Sequence, residues 1–187
     1  MLYEIGDKVL DEWVITRTIG EGSYGKVVEI ERNEFGLSMK SALKIISIPG
    51  NNSELRAVMG EGIDNKSITS YFYGFVEEII KEIAIMSELK GHTNIVTYED
   101  HRVIPHEDHI GWDILIRMEL LTSLLDYSEE HEITEQTVIK LGTDILTALE
   151  VCQKYHVVHR DIKPENILVD EHEKFVLSDF GIAHYDK

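Results

Sequence analysis

The stretch that most constrains the fold lies near the end of the chain. There His159-Arg160-Asp161-Ile162-Lys163-Pro164-Glu165-Asn166 is followed by Ser178-Asp179-Phe180-Gly181. Between the two polar strings lie Ile167-Leu168-Val169 and Phe175-Val176-Leu177, two short apolar runs of β-forming residues. The order reads as a loop, a short hairpin and a second loop. In such an arrangement an aspartate, a lysine and an asparagine from the first loop can converge with a second aspartate from the other. A single aspartate is ordinarily a solvated surface group, so it is the full string in this order that carries the information.

Upstream, Trp13-Val14-Ile15-Thr16-Arg17-Thr18-Ile19 and Val27-Val28-Glu29-Ile30-Glu31-Arg32 are rich in β-branched residues and flank Gly20-Glu21-Gly22-Ser23-Tyr24-Gly25. The glycine spacing alone is a weak signal. A dinucleotide-binding fingerprint requires a helix after the third glycine, whereas here another strand follows. A turn at Asn33-Glu34-Phe35-Gly36 leads to a third strand, Ser41-Ala42-Leu43-Lys44-Ile45-Ile46, whose lysine is set among apolar residues and needs an anionic partner.

Taken together, these segments resemble the eukaryotic-type (Hanks-type) serine/threonine protein kinase catalytic domain. The resemblance implies an α+β, protein-kinase-like fold: a five-stranded antiparallel N-lobe sheet with the helix called C in that family, and an incomplete, mainly helical C-lobe. Residues 1–12 would be an N-terminal extension, 13–121 the N-lobe and hinge, and 122–187 a partial C-lobe with helices D and E, the catalytic loop and Asp-Phe-Gly. It also implies magnesium-dependent transfer of the γ-phosphoryl group of ATP to Ser/Thr hydroxyls of proteins. In that role Asp161 accepts the hydroxyl proton, Lys163 offsets charge on the transferred group, and Asn166 and Asp179 hold Mg2+. A lysine two residues after the base is the serine/threonine pattern.

The same resemblance assigns the nucleotide side. Ile19, Gly20, Gly22, Ser23 and Gly25 would form the flap over the phosphates, with Val27 and Ala42 above the adenine and Leu168 below it. Met118 would line the back of the pocket, and Glu119 and Leu121 belong to the hinge. Lys44 would hold the α and β phosphates and pair with a glutamate on the next helix. Glu82, ten residues before His92, is chosen for that pairing, with Glu78 one turn earlier as the fallback.

The helix itself is read from periodicity. Ile68, Phe72, Phe75, Val76, Ile79, Ile80, Ile83 and Met86 recur at helical spacing over about residues 67–90, with Asp64 as cap and Gly91 as stop. Ahead of it, residues 49–66 hold an insertion of unassigned function with a short helix, Ser53 to Met59, ending near Gly60 and Gly62. A second long helix, Thr134 to Tyr155, carries Val138, Leu141, Ile145, Leu149 and Cys152 on one stripe, which makes Cys152 a buried thiol and not a nucleophile. Ile95-Val96, Val103-Ile104 and Trp112 to Glu119 read as further strand segments. His101, His106 and His109, with Glu107 and Asp108, lack metal-site spacing and read as a solvated loop. The run Glu129-Glu130-His131-Glu132 reads as a solvated connection.

Composition narrows the partners. Among 187 residues, 35 acids against 18 Lys and Arg give a net charge of −17, which argues against nucleic acid or an anionic membrane surface as partner. At a screening length of about 8 Å, only local cations can serve the phosphates. Cys152 is the only cysteine, so no intrachain disulfide forms, and the chain is read as cytoplasmic. No apolar run approaches the roughly 18 residues of a membrane span. The resemblance stops six residues after Gly181, short of the family's Ala-Pro-Glu segment and lower helices. Two readings follow: a protein serine/threonine kinase of which this is an N-terminal portion, or a catalytically silent nucleotide-binding or regulatory module. A small-molecule kinase is disfavoured by the combination of Asp-Phe-Gly with Lys163.

Overall fold

The computed structural model describes residues 3–22, 25–59, 64–181 and 183–185. The chain divides into two compact units, Met1–Ile80 with Glu99–Leu120 and Lys81–Tyr98 with Leu121–Lys187.

The first unit is built on one antiparallel sheet. Its strands are β1 (Lys8–Val9), β2 (Trp13–Gly22), β3 (Gly25–Glu34), β4 (Leu37–Ile48), β5 (Tyr98–Pro105) and β6 (Trp112–Met118), in the order β1-β2-β3-β4-β6-β5. The five expected strands are present and the two-residue β1 adds a sixth at the edge. The turn between β3 and β4 falls at Phe35 and Gly36, both at positive φ, as a tight hairpin demands. One sheet face buries Trp13, Ile15, Val28, Ile30, Leu43, Ile45 and Leu115 with Val9.

Residues 3–12 are part of this unit and do not trail from it as a bare extension. Val9 is buried, and the Tyr3 hydroxyl donates to Asp113 Oδ2 at 3.0 Å. Asp113 also accepts from Ser47 Oγ at 2.7 Å and lies 3.0 Å from His106 Nε2. His106 is thus turned inward and not solvated as expected, because the buried Asp113 carboxylate draws it. Among the described residues no group of three or more His, Cys, Asp or Glu is gathered around a point that could hold a metal.

Helix α1 (Asn52–Met59) is capped by Asn51, whose side chain accepts from Glu54 N at 2.9 Å; the expected stop at Gly60 and Gly62 lies outside the described residues. Helix α2 (Asn65–Glu88) starts at Asp64, whose carboxylate accepts the backbone N–H groups of Lys66 and Ser67. Gly91, at φ +84°, follows its end. Ile68, Phe72, Val76, Ile83 and Met86 are buried as the periodicity predicts. Phe75 and Ile80 are exposed instead, and Ile85 and Leu89 take their share of the buried stripe. The unit boundary falls inside this helix.

The second unit holds β7 (Thr122–Ser123), α3 (Leu124–Glu130), α4 (Glu135–Lys154), β8 (Val157–Val158), a 3-10 turn (Pro164–Asn166), β9 (Ile167–Val169), β10 (Phe175–Leu177) and β11 (His184–Tyr185). The expected hairpin is β9–β10, and β7 joins it as a third strand through Thr122↔Val169 and Ser123↔Leu168. Ser123 caps α3 and Thr134 caps α4, each accepting a backbone N–H from three residues on. Glu129 and Glu130 are the last residues of α3, so the acidic run begins in a helix and not in a connection. On α4, Ile145, Ala148 and Cys152 are buried, while Val138 is half exposed. Burial pushes the Cys152 thiol up, as suits a packed and unreactive sulfur. Residues 92–96 are sewn to β10: Asn94 Nδ2 donates to Phe175 O at 2.8 Å, Leu177 N to Asn94 O at 2.8 Å, and Val96 N to Leu177 O at 2.9 Å.

Candidate active site

In the second unit the two polar loops flank β9–β10 at the same end, where Ile167 pairs with Leu177, and are tied together. Ser178 donates to the Asn166 carbonyl twice, from its backbone N at 2.9 Å and its hydroxyl at 3.0 Å. Asn166 is itself buried, and its Nδ2 donates both to the Asp161 carbonyl at 2.8 Å and to Asp161 Oδ2 at 2.9 Å. Lys163 Nζ lies 2.8 Å from the same carboxylate oxygen. Asp161, Lys163 and Asn166 therefore form one cluster, as expected. The Lys163 ammonium holds the Asp161 carboxyl below the ordinary aspartate range, and the Asn166 amide adds to this. The carboxylate is ionised at neutral pH and held in place.

His159 fixes the loop from below. Its Nε2 lies 3.0 Å from the Ser178 carbonyl, which can only accept, and its Nδ1 lies 3.3 Å from the Asp161 N–H, which can only donate. These partners require the neutral ring with its proton on Nε2. Burial lowers the His159 pKa and so supports the same form. The ring meets Phe180 edge-on at 4.8 Å between centroids, and Met86 is buried in the same unit. Arg160 and Asp179 sit at φ +69° and +58°. Left-handed backbone at non-glycine residues costs on the order of 1–3 kcal/mol each, and loops tied this firmly can bear it.

Asp179 and Glu82 come together around Gly181. A Cβ placed on Gly181 would stand 3.3 Å from Asp179 Oδ1 and 3.5 Å from Glu82 Oε2. Glu82 is buried while Glu78 is exposed, so burial separates the chosen glutamate from its fallback. Leu168, opposite Ser123, and Leu121 belong to this unit and are half-buried.

The remaining expected residues belong to the first unit, where strand register collects them on one sheet face. Val27 is opposite both Gly20 and Lys44, and Ala42 is opposite Met118. Cross-strand partners point the same way and Lys44 is two residues from Ala42, so all share a face. Ile19 falls at the register shift between Thr18 and Gly20. Glu119 follows the end of β6. Gly25 is required by the chain itself: at φ +121°, a Cβ there would strike the Ile45 carbonyl oxygen. Gly20 and Gly22 have open space where a Cβ would sit. Ser23 lies outside the described residues.

A family model described as "Protein kinase domain" matches residues 13–186. The chain belongs to the protein kinase family. It is 31% identical over 176 residues to the carbon catabolite-derepressing protein kinase of Saccharomyces cerevisiae, covering 94% of this chain and 24% of that one. It is 29% identical over 182 residues to human serine/threonine-protein kinase 32B (92% and 36%), and 32% identical over 167 residues to cyclin-dependent kinase 1 of Encephalitozoon cuniculi (88% and 48%). The chain spans less than half the length of each of these kinases. Serine/threonine kinases are thus its relatives, in accord with Lys163 after Asp161.

The donor set suits the magnesium this kinase family implies. The Asn166 amide nitrogen is committed to Asp161, so its oxygen is the atom left to offer a cation, and Asp179 brings a carboxylate; both are the hard oxygen ligands Mg2+ prefers. Ser178 and Asn94 were not singled out by sequence reasoning. Ser178 immediately precedes Asp179 and Asn94 lies in His92-Thr93-Asn94-Ile95-Val96, but their work is done by single polar contacts with no periodic signature. Tyr185 is a third such residue: its hydroxyl donates to Glu88 Oε2 at 2.6 Å, which pushes its pKa up to about 12.

Proposed function

We propose that the chain serves ATP- and Mg2+-dependent transfer of a γ-phosphoryl group to Ser/Thr hydroxyls of proteins, as part of a protein kinase domain. The observation that carries this reading is the state of Asp161. It is partly exposed, ionised, and clamped by Lys163 and Asn166 in a loop that His159 and Ser178 hold rigid. Such a carboxylate can orient an incoming hydroxyl and take its proton as attack proceeds. Lys163, beside it, can turn from the carboxylate toward a transferred phosphoryl oxygen. Magnesium, when bound, supplies neutralisation of phosphate charge, and Asn166 and Asp179 are its candidate holders. In the first unit, Lys44 is the cation for the α and β phosphates. Gly20 and Gly22, which packing does not require, are suited to a backbone that lies close over phosphates.

The test is incorporation of labelled phosphate into a generic basic protein, with Asp161→Asn and metal chelation as controls. Incorporation lost in both controls is the expected result; incorporation that persists in Asp161→Asn sinks the assignment. The alternative is a silent nucleotide-binding or regulatory module that keeps the nucleotide-side residues but does not carry out transfer. Calorimetric titration with Mg-ATP separates the two: binding without Asp161-dependent transfer selects the module.

A further inference from the structure

In the first unit a cavity of about 550 Å³ is walled by Trp13, Arg32, Ser41, Asp100, Arg102 and Arg117, among others. Neighbouring strand residues point to opposite faces, so Ser41 and Arg117 turn away from the face that Ala42 and Met118 share with Lys44. The cavity is thus separate from the nucleotide residues and from the cluster around Asp161. Its volume lies in the range of about 300–1,000 Å³ that suits a whole small molecule.

Its guanidinium groups are held in place by the buried Trp13 ring, with the Arg117 and Arg32 carbons at 4.9 and 5.5 Å from the ring centroid. Most of the charges are spent on one another. Arg117 closes on Asp100 through Nε at 3.1 Å and Nη2 at 2.6 Å, Arg102 closes on Asp11 at 3.1 and 2.8 Å, and Lys40 pairs with Glu29 at 2.9 Å. Glu99, also on the wall, adds to the field at Arg117. Arg32 is the exception. Its Nη2 meets the half-exposed Glu34 carboxylate at 3.2 Å and the Met39 sulfur at 3.9 Å, while its Nε is buried with no hydrogen-bond partner. The edge that Arg117 closes on a carboxylate is therefore half filled in Arg32. A buried N–H without an acceptor is unfavourable, and an oxyanion entering the cavity would relieve it.

We propose that this cavity binds a small phosphate monoester. The phosphate closes on Nε and Nη2 of Arg32 in place of Glu34 and is met by Arg102, another guanidinium on the same wall. Both carboxylates that give way belong to exposed pairs of little strength: Glu34 is half exposed, and Arg102 and Asp11 are 45% and 76% exposed. A phosphate is favoured over a carboxylate because its three oxygens can serve two guanidinium groups at once. A large polyanion is opposed by the net charge of −17, whereas a small one senses chiefly the nearest groups.

The chain has two tryptophans, so Trp112→Phe leaves Trp13 as the one tryptophan reporter, at the cavity itself. Its emission is titrated with ribose 5-phosphate, ribose, ribonate and inorganic phosphate at constant ionic strength, and calorimetry on the parent chain repeats each titration. A saturable response to ribose 5-phosphate is expected, with ribonate and inorganic phosphate about tenfold weaker or more and ribose silent. Arg32→Lys keeps the charge but removes the Nε donor and is expected to weaken binding about tenfold; Arg102→Gln is expected to weaken it several-fold. Circular dichroism verifies that the variants stay folded. No saturable response by either method overturns the proposal, as does unchanged affinity in Arg32→Lys. Equal affinity for ribonate or inorganic phosphate would reduce the cavity to a general anion contact and overturn it too. A response that Lys44→Met abolishes and Arg32→Lys spares would give the ligand to the opposite face of the sheet.

Discussion

The Asn166 amide donates to both the backbone carbonyl and the carboxylate of Asp161, at 2.8 and 2.9 Å, so one buried side chain fixes the residue at two points. The same amide then has only its oxygen left for a cation. Under the proposed function, positioning of the base and holding of the metal would be joined in a single residue. Asn166→Ala is expected to lower the affinity for Mg-nucleotide about 10- to 100-fold and to lower the denaturant midpoint as well. Calorimetric titration and urea unfolding check the two effects; loss of stability with unchanged metal affinity would separate the roles.

Lys163 is the chief reason the Asp161 carboxyl titrates below its ordinary range. A depressed carboxyl stays ionised as pH falls through the usual aspartate range, and its contribution to stability is lost only as pH drops through the lowered folded value. Lys163→Met is expected to move the Asp161 midpoint upward. Carbon-detected NMR titration of the carboxyl reads this directly, with no need for turnover. A midpoint that stays put would assign the depression to Asn166 instead.

His159 shows the opposite chemistry with the same pH sense. Its folded pKa is depressed by burial from 6.5, so the unfolded chain takes up the proton first. The stability it secures is full above about pH 6.5 and is lost as pH falls toward the folded value. His159→Phe is expected to remove this acid sensitivity and to cost about 1–3 kcal/mol, because the Asp161 N–H and Ser178 carbonyl lose their partner. Urea unfolding at a series of pH values checks both.

Gly181→Ala places a methyl 3.3 Å from Asp179 Oδ1 and 3.5 Å from Glu82 Oε2. The Asp179 carboxylate must give by a few tenths of an ångström, while Glu82 is met at ordinary contact distance. Stability is expected to change little, since the loss of unfolded-state freedom gains about 0.4–1 kcal/mol against the crowding. Mg-nucleotide affinity is expected to fall several-fold, measured by calorimetry against the parent chain.

Tyr3→Phe removes one of the donors to the buried Asp113 carboxylate and is expected to cost about 1 kcal/mol in thermal or urea unfolding. Asp113→Ala strands the Ser47 and Tyr3 hydroxyls and costs more. If Tyr3→Phe leaves stability unchanged, the Tyr3–Asp113 bond contributes nothing and residues 3–12 act through their other contacts, among them buried Val9 and the Arg102–Asp11 pair.

Much of this arrangement was legible in the residues themselves. Local rules sufficed for the strands around the glycine turn, for α2 between Asp64 and Gly91, for α4 behind Thr134, and for the β9–β10 hairpin that brings Asp161 and Asn166 toward Asp179. In each case the signal is a period, a cap or a turn residue, set by contacts within a few positions along the chain. The string around Asp161 was informative because its residues lie within one loop, where spacing nearly is geometry.

What the tertiary structure decided is what long-range partners decide. Sequence could not place Tyr3 on Asp113, turn His106 inward, add β7 to the hairpin, or choose Ser178 and Asn94 as the ties between segments. Nor could it say which apolar positions of α2 and α4 would be left outside, so Phe75 and Val138 were misread while Ile85 and Ala148 were overlooked. A helical stripe specifies a direction, but the width of what covers it is set by neighbours far away in the chain. Burial and single polar contacts are properties of the assembled packing, and no local pattern encodes them.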